Sequence, residues 1–138
     1  MNTFISTLLL SFALLTANHY RSAKEQAIPV IVTGLQPGNG QIFLNIFKDK
    51  DSYNGQKPFR QVIFDKTAVK DGYLTVSVRL EEGTYGIILI DGEKGFGFSN
   101  FDRKKIKRPA FDDIKVVVKN ENDIFDGVTP VDIRVKYM

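Results

Sequence analysis

The chain has 138 residues, 43% of them hydrophobic and 25% charged, with no cysteine, no tryptophan and a single histidine, His19. That balance describes one globular domain and excludes a disulfide-stapled scaffold, a cysteine-based zinc site, a thiol enzyme, a c-type haem protein and a polytopic membrane protein. The formal charge is +3, yet Arg103, Lys104, Lys105, Lys107 and Arg108 crowd five of the 19 basic residues into six positions, and the remaining 14 face 16 acidic ones. The basic character therefore belongs to one segment.

No residue from Thr3 to Ala17 is charged, and Phe4, Ile5, Leu8, Leu9, Leu10, Phe12 and Leu14 make the run apolar. A membrane-spanning helix needs about 20 such residues, so the run reads as a signal peptide over residues 1–17, cleaved after Ala17. A buried helix or a retained anchor are the alternatives. Residues 18–27 form a polar lead-in and 28–138 the domain. The expected destination is the periplasm or the cell exterior, with no transmembrane span in the mature chain. Without cysteine, stability there must come from the core alone.

Ile28 to Thr33 and Gln41 to Phe47 are β-rich, joined through Pro37-Gly38-Asn39-Gly40, which supplies the backbone angles of a reversal. On the second run, Phe43 and Phe47 alternate with Ile42, Leu44 and Ile46, so both faces are bulky and apolar. Burial under a sheet and a covering loop is the reading adopted, with a partner-binding sheet face as the alternative. A short helical turn is expected in Asp49 to Asn54, and a less regular strand in Arg60 to Val69. From Tyr73 to Leu80 the alternation is strict, with Leu74, Val76, Val78 and Leu80 on one face. Ile87-Ile88-Leu89-Ile90 are consecutive, which predicts a strand covered on both sides. Ile114, Val116 and Val118 alternate with Lys115 and Lys119, and Val131, Ile133, Val135 and Tyr137 with Asp132, Arg134 and Lys136. The expectation is all-β: a single antiparallel β-sandwich of about seven strands, immunoglobulin-like or transthyretin-like. Two long connections, Asp91 to Asp113 and Asn120 to Pro130, are the places for function.

In chain order come Val32-Thr33-Gly34-Leu35, Gly40-Gln41-Ile42, Gly83-Thr84-Tyr85-Gly86, Gly95-Phe96-Gly97-Phe98-Ser99-Asn100 and Pro109-Ala110-Phe111-Asp112-Asp113. This series resembles the bacterial exported family called domain of unknown function 2141, from Ile28 to the C-terminus. The resemblance implies an exported sandwich of transthyretin-like type whose biochemical role is not established. Members commonly carry His-Asp and a calcium-like acidic loop after the Tyr strand. Here the strand runs Leu89-Ile90-Asp91-Gly92-Glu93-Lys94, so the histidine is absent and the loop is shortened. Calcium takes six to eight oxygen ligands, and no metal role is carried over.

His19 lies beside the expected cleavage point, which leaves no Ser-His-Asp or Cys-His arrangement for the domain. Gly95-x-Gly97 is followed by no helix, so a phosphate cradle is not expected. Asp112 and Asp113 are adjacent, and neighbours on a strand face opposite ways, so they read as a solvated strand start. A small carboxylate-dependent hydrolase is the competing class. No enzyme activity, metal or cofactor is expected. The candidate ligand site joins the aromatic and amide residues Phe96, Phe98, Asn100 and Phe101 to the cations Arg103, Lys104, Lys105, Lys107 and Arg108. Export removes nucleic acid as a partner and leaves an anionic glycan, a lipid head group or another envelope protein, met by a monomer. The competing reading is a solvated loop with Phe98 and Phe111 folded under it as a satellite core. Asn120, Asn122, Asp123 and Asp126-Gly127 read as an Asx-rich connection rather than a cation site.

Overall fold

The computed structural model describes residues 24–102, 107–120 and 128–138. The signal segment with His19, the cations Arg103, Lys104 and Lys105, and the acidic residues Asp123 and Asp126 lie outside them. Nine strands fall within the described residues: β1 (Gln26–Thr33), β2 (Gln41–Phe47), β3 (Arg60–Asp65), β4 (Leu74–Leu80), β5 (Gly83–Asp91), β6 (Gly95–Phe98), β7 (Lys115–Val118), β8 (Val131–Arg134) and β9 (Lys136–Tyr137). One helix, α1 (Lys50–Asn54), follows β2, and 3₁₀ turns cover Lys66–Ala68 and Phe111–Asp113.

Two open sheets face each other in a sandwich-like arrangement. One has the order β4-β1-β8; the other runs β3-β2-β5-β6-β9, with β7 also paired to β5. Alternation dictates what they bury. Ile28, Val30 and Val32 of β1, Leu74, Val78 and Leu80 of β4, and Val131 and Ile133 of β8 point inward from the three-stranded sheet. Ile42, Leu44 and Ile46 of β2, Tyr85, Ile87 and Leu89 of β5, and Val116 and Val118 of β7 meet them from the other. Each fully buried aliphatic side chain contributes about 1.5–3 kcal/mol, so this layer holds the sheets together.

Helix α1 begins where expected because Asp49 caps it. The Asp49 carboxylate accepts from the Ser52 amide at 2.7 Å, which holds its own pKa below the usual carboxylate value.

Several expectations are corrected. The sandwich is not wholly antiparallel, since β1 and β8 run parallel, with Val30 opposite Val131. The Asp91 to Asp113 connection is not all loop, because it contains β6, antiparallel to β5 from Ile88–Phe98 to Asp91–Gly95. The run from Arg60 ends as a strand at Asp65, where the Asp65 carboxylate caps the following 3₁₀ turn through the Thr67 amide. Strand β1 starts at Gln26, two residues into the expected lead-in. The last run is split at Val135, where the chain passes from the three-stranded to the six-stranded sheet. Its amide donates to the Thr33 carbonyl at 2.9 Å, tight against Gly34, whose φ of +80° and lack of side chain both matter: a Cβ would stand 2.7 Å from the Val135 oxygen.

Candidate functional site

The expected ligand residues are divided by the fold. Phe96 and Phe98 lie on β6 and share the outer face of the six-stranded sheet. Phe98 is only 4% exposed, packed with Phe47, Tyr53, Ile88, Phe111 and Ile114 in a second apolar cluster. Phe98 and Phe111 thus share one buried cluster, as a satellite core requires. Phe96 and Phe101 are half-buried against its margin.

Beyond β6 the chain is tied down residue by residue. Ser99 is fully buried where β6 gives way to β7 alongside β5. Its hydroxyl accepts from the Ile87 amide at 3.0 Å and donates to the Ile114 carbonyl at 2.5 Å, replacing the ladder bonds that neither short strand supplies there. Gly97 admits no side chain, since a Cβ would come within 2.5 Å of Ile133 across the interface. Asn100 adopts a left-handed φ of 54° and exchanges bonds with Asp132: its amide donates to the Asp132 carbonyl at 2.7 Å, and its side-chain oxygen accepts from the Asp132 amide at 3.1 Å. Asp102 holds Arg134 at 3.1 Å and Lys136 at 2.9 Å. These two carboxylate and amide anchors join the start of the basic segment to β8 and β9.

The far end of the segment is anchored separately. The Arg108 guanidinium lies 4.1 Å over the Tyr53 ring and donates to the Tyr53 carbonyl at 2.6 Å. The Tyr53 hydroxyl in turn donates to the Pro109 carbonyl at 2.5 Å. Burial raises the Tyr53 pKa, opposed by the Arg108 charge. Arg108 is thus a strut between α1 and the loop, while Lys107 is exposed. Asp112 and Asp113 sit on the 3₁₀ turn rather than at a strand start. Asp112 pairs with Lys115 at 2.9 Å, which lowers its pKa, and Asp113 accepts from the Ala110 amide at 3.1 Å. Both carboxylates are engaged in shaping the turn.

Sequence reasoning passed over a second region, where β2 and β3 meet the end of β5. Asp91, 7% exposed, accepts from the Lys66 ammonium at 2.9 Å, and the Tyr137 hydroxyl donates to the same carboxylate oxygen. The Tyr137 oxygen also accepts from the Gln36 amide at 3.0 Å. Burial and the Asp91 bond push the Tyr137 pKa up to about 12. This chain of bonds lies beside a cleft of about 860 Å³ between the β1–β2 loop and the β3–β4 connection. No local motif announced it, because Gln36, Lys66, Asp91 and Tyr137 come from four separate stretches. The one clue is Asp91 itself, an acidic residue closing an apolar strand.

The outer face of the six-stranded sheet divides in two. Phe47 is buried under α1 and the returning loop, in line with the burial adopted for it. Phe43 is only half-buried, in a row with Ile63, Ile90 and Phe96 set by strand register, and Ile63 is 49% exposed. Among the described residues no group of three or more His, Cys, Asp or Glu side chains is placed to hold a metal, and no helix is long and apolar enough to cross a membrane. No protein-family model, no curated protein and no solved structure matches the chain.

Proposed function

We propose that the protein is a non-enzymatic, exported, monomeric binding module of the cell envelope. It contacts phosphate or carboxylate groups of a glycan or lipid head group through Arg103, Lys104, Lys105 and Lys107. The observation that carries this reading is the double anchoring of the basic segment: Asn100 and Asp102 tie one flank to β8 and β9, and Arg108 and Pro109 tie the other to Tyr53. A segment held at both ends loses less conformational freedom on binding than a free one, so its charges act together. Membership of the exported family is likewise our proposal, and the motif series in the sequence is its support. The finer fold type we propose is immunoglobulin-like or transthyretin-like, supported by the two-sheet packing with one short helix.

The test leaves the Arg108 strut in place. Replacing Arg103, Lys104, Lys105 and Lys107 together by Ser should abolish retention on phosphatidylglycerol vesicles or on an immobilised polyuronate while leaving the melting temperature unchanged. Retention of the parent protein should fall as salt rises, since charges on the surface are screened over about 10 Å at 0.1 M. The carrier that retains the parent distinguishes lipid from glycan. Retention unaltered by the four substitutions would sink the reading.

A further inference from the structure

The cleft beside Asp91 is an open depression between two tied segments. Its two walls are tied together by backbone bonds, from the Leu35 amide to the Gly72 carbonyl at 3.1 Å and from the Lys66 amide to the Gly40 carbonyl at 3.0 Å. Lys66, which lines the cleft, is held by Asp91, and Asp91 in turn by Tyr137, which accepts from Gln36. At its rim the Asp71-Gly72 turn holds left-handed angles of 53° and 81°, closed by reciprocal bonds between Lys70 and Tyr73. The volume of about 860 Å³ lies within the range of roughly 300–1,000 Å³ typical of small-molecule sites.

Its chemistry selects the ligand. Leu35, Pro37 and Val69 give apolar wall, and Tyr73 adds an aromatic ring that is 60% exposed. Lys66 lines the cleft with its ammonium 3.5 Å from where a Cβ on Gly38 would stand, so the charge sits at the wall. One ammonium hydrogen goes to Asp91, which also neutralises the charge; an ammonium has three. Asp71 is the acidic residue among those lining the cleft. With Lys66 already paired and Asp71 negative, the cleft offers no net field for an anion. A hydroxyl group both accepts and donates, so it can take a hydrogen from Lys66 and give one to Asp71. A ring with C–H groups on one face can lie on Tyr73.

We infer that this cleft binds an uncharged sugar, with Tyr73 as the stacking surface and Lys66 and Asp71 as the hydroxyl partners. The ligand carries no charge and no lining residue of the cleft belongs to the basic segment, so binding should be independent of salt and of the four Ser substitutions.

The probes are cellobiose, maltose and diacetylchitobiose, titrated into isotopically labelled protein. At least one should shift the backbone amides of Gly38, Thr67 and Gly72 in a saturable way. Tyr73→Ala, at an exposed position, should weaken that binding about three- to tenfold, the worth of one aromatic contact. Asp71→Asn keeps a residue that tolerates the left-handed turn and should weaken it by a smaller factor. The inference is overturned if none of the three sugars shifts these amides, if the shifts map elsewhere, or if Tyr73→Ala binds as tightly as the parent.

Discussion

The two apolar clusters lie on opposite faces of the same six-stranded sheet, yet they are built from different kinds of sequence. The cluster between the sheets comes almost wholly from alternating strand residues such as Ile42, Leu44, Ile46, Ile87 and Leu89. The outer one gathers a strand end, Phe47, a helix residue, Tyr53, and loop or turn residues, Phe111 and Ile114, around Ile88 and Phe98. The first cluster makes the fold. The second seats the chain from Arg108 to Ile114 against the sheet and α1.

This contrast can be broken experimentally, most forcefully at the inter-sheet layer. Leu44→Ala, at a fully buried site, should cost about 2–5 kcal/mol and lower the transition seen by every probe together. Phe111→Ala should act differently: hydrogen exchange should quicken first in α1 and residues 107–114, while amides of the β1–β4 ladder stay slow. Simultaneous opening of both regions would show that the clusters are one cooperative unit.

Ser99 sits where the two clusters meet, and Ser99→Ala leaves the Ile87 amide and the Ile114 carbonyl without their partner. A loss of about 1–3 kcal/mol by denaturant unfolding is expected, because both groups are buried. A neutral result would mean that β6 and β7 need no splice.

The smallest effect is expected at the brace beside the cleft. Tyr137 holds its proton up to about pH 12 in the folded chain, against about 10 when unfolded. Above the lower value the unfolded state has released a proton that the folded state keeps. The stability present below pH 10 therefore drains away as pH rises towards 12. Tyr137→Phe should cost about 1 kcal/mol near neutrality and flatten the decline in that window. Tyr53 and Tyr85, also raised chiefly by burial, give the residual slope the same sign. An unchanged profile in Tyr137→Phe would assign the decline to other groups.

Much of the fold was legible in the chain because period-two patterning is a local property. Leu74 to Leu80, Ile114 to Val118 and the consecutive Ile87 to Ile90 each announce a face before any partner is known, and Asp49 announces the helix start. Strand β6 escaped notice because Gly95 and Gly97 carry no β-forming side chain. The Gly-Phe-Gly-Phe alternation is itself period two, and only the close approach of Ile133 and Tyr137 explains the glycines. The parallel pairing of β8 with β1 was equally hidden, since strand order depends on contacts far apart in the chain.

By itself, then, the sequence determined which residues face a core and that positive charge is concentrated between Phe101 and Pro109, since both are properties of neighbouring residues. Tertiary structure alone decided that Arg108 braces Tyr53, that Phe98 is buried while Phe96 is half-exposed, and that Lys66, Asp91 and Tyr137 converge beside a cleft. The physical reason is that burial and hydrogen-bond partnership are set by which strands lie side by side, and that depends on the free energy of the whole assembly rather than of any one segment.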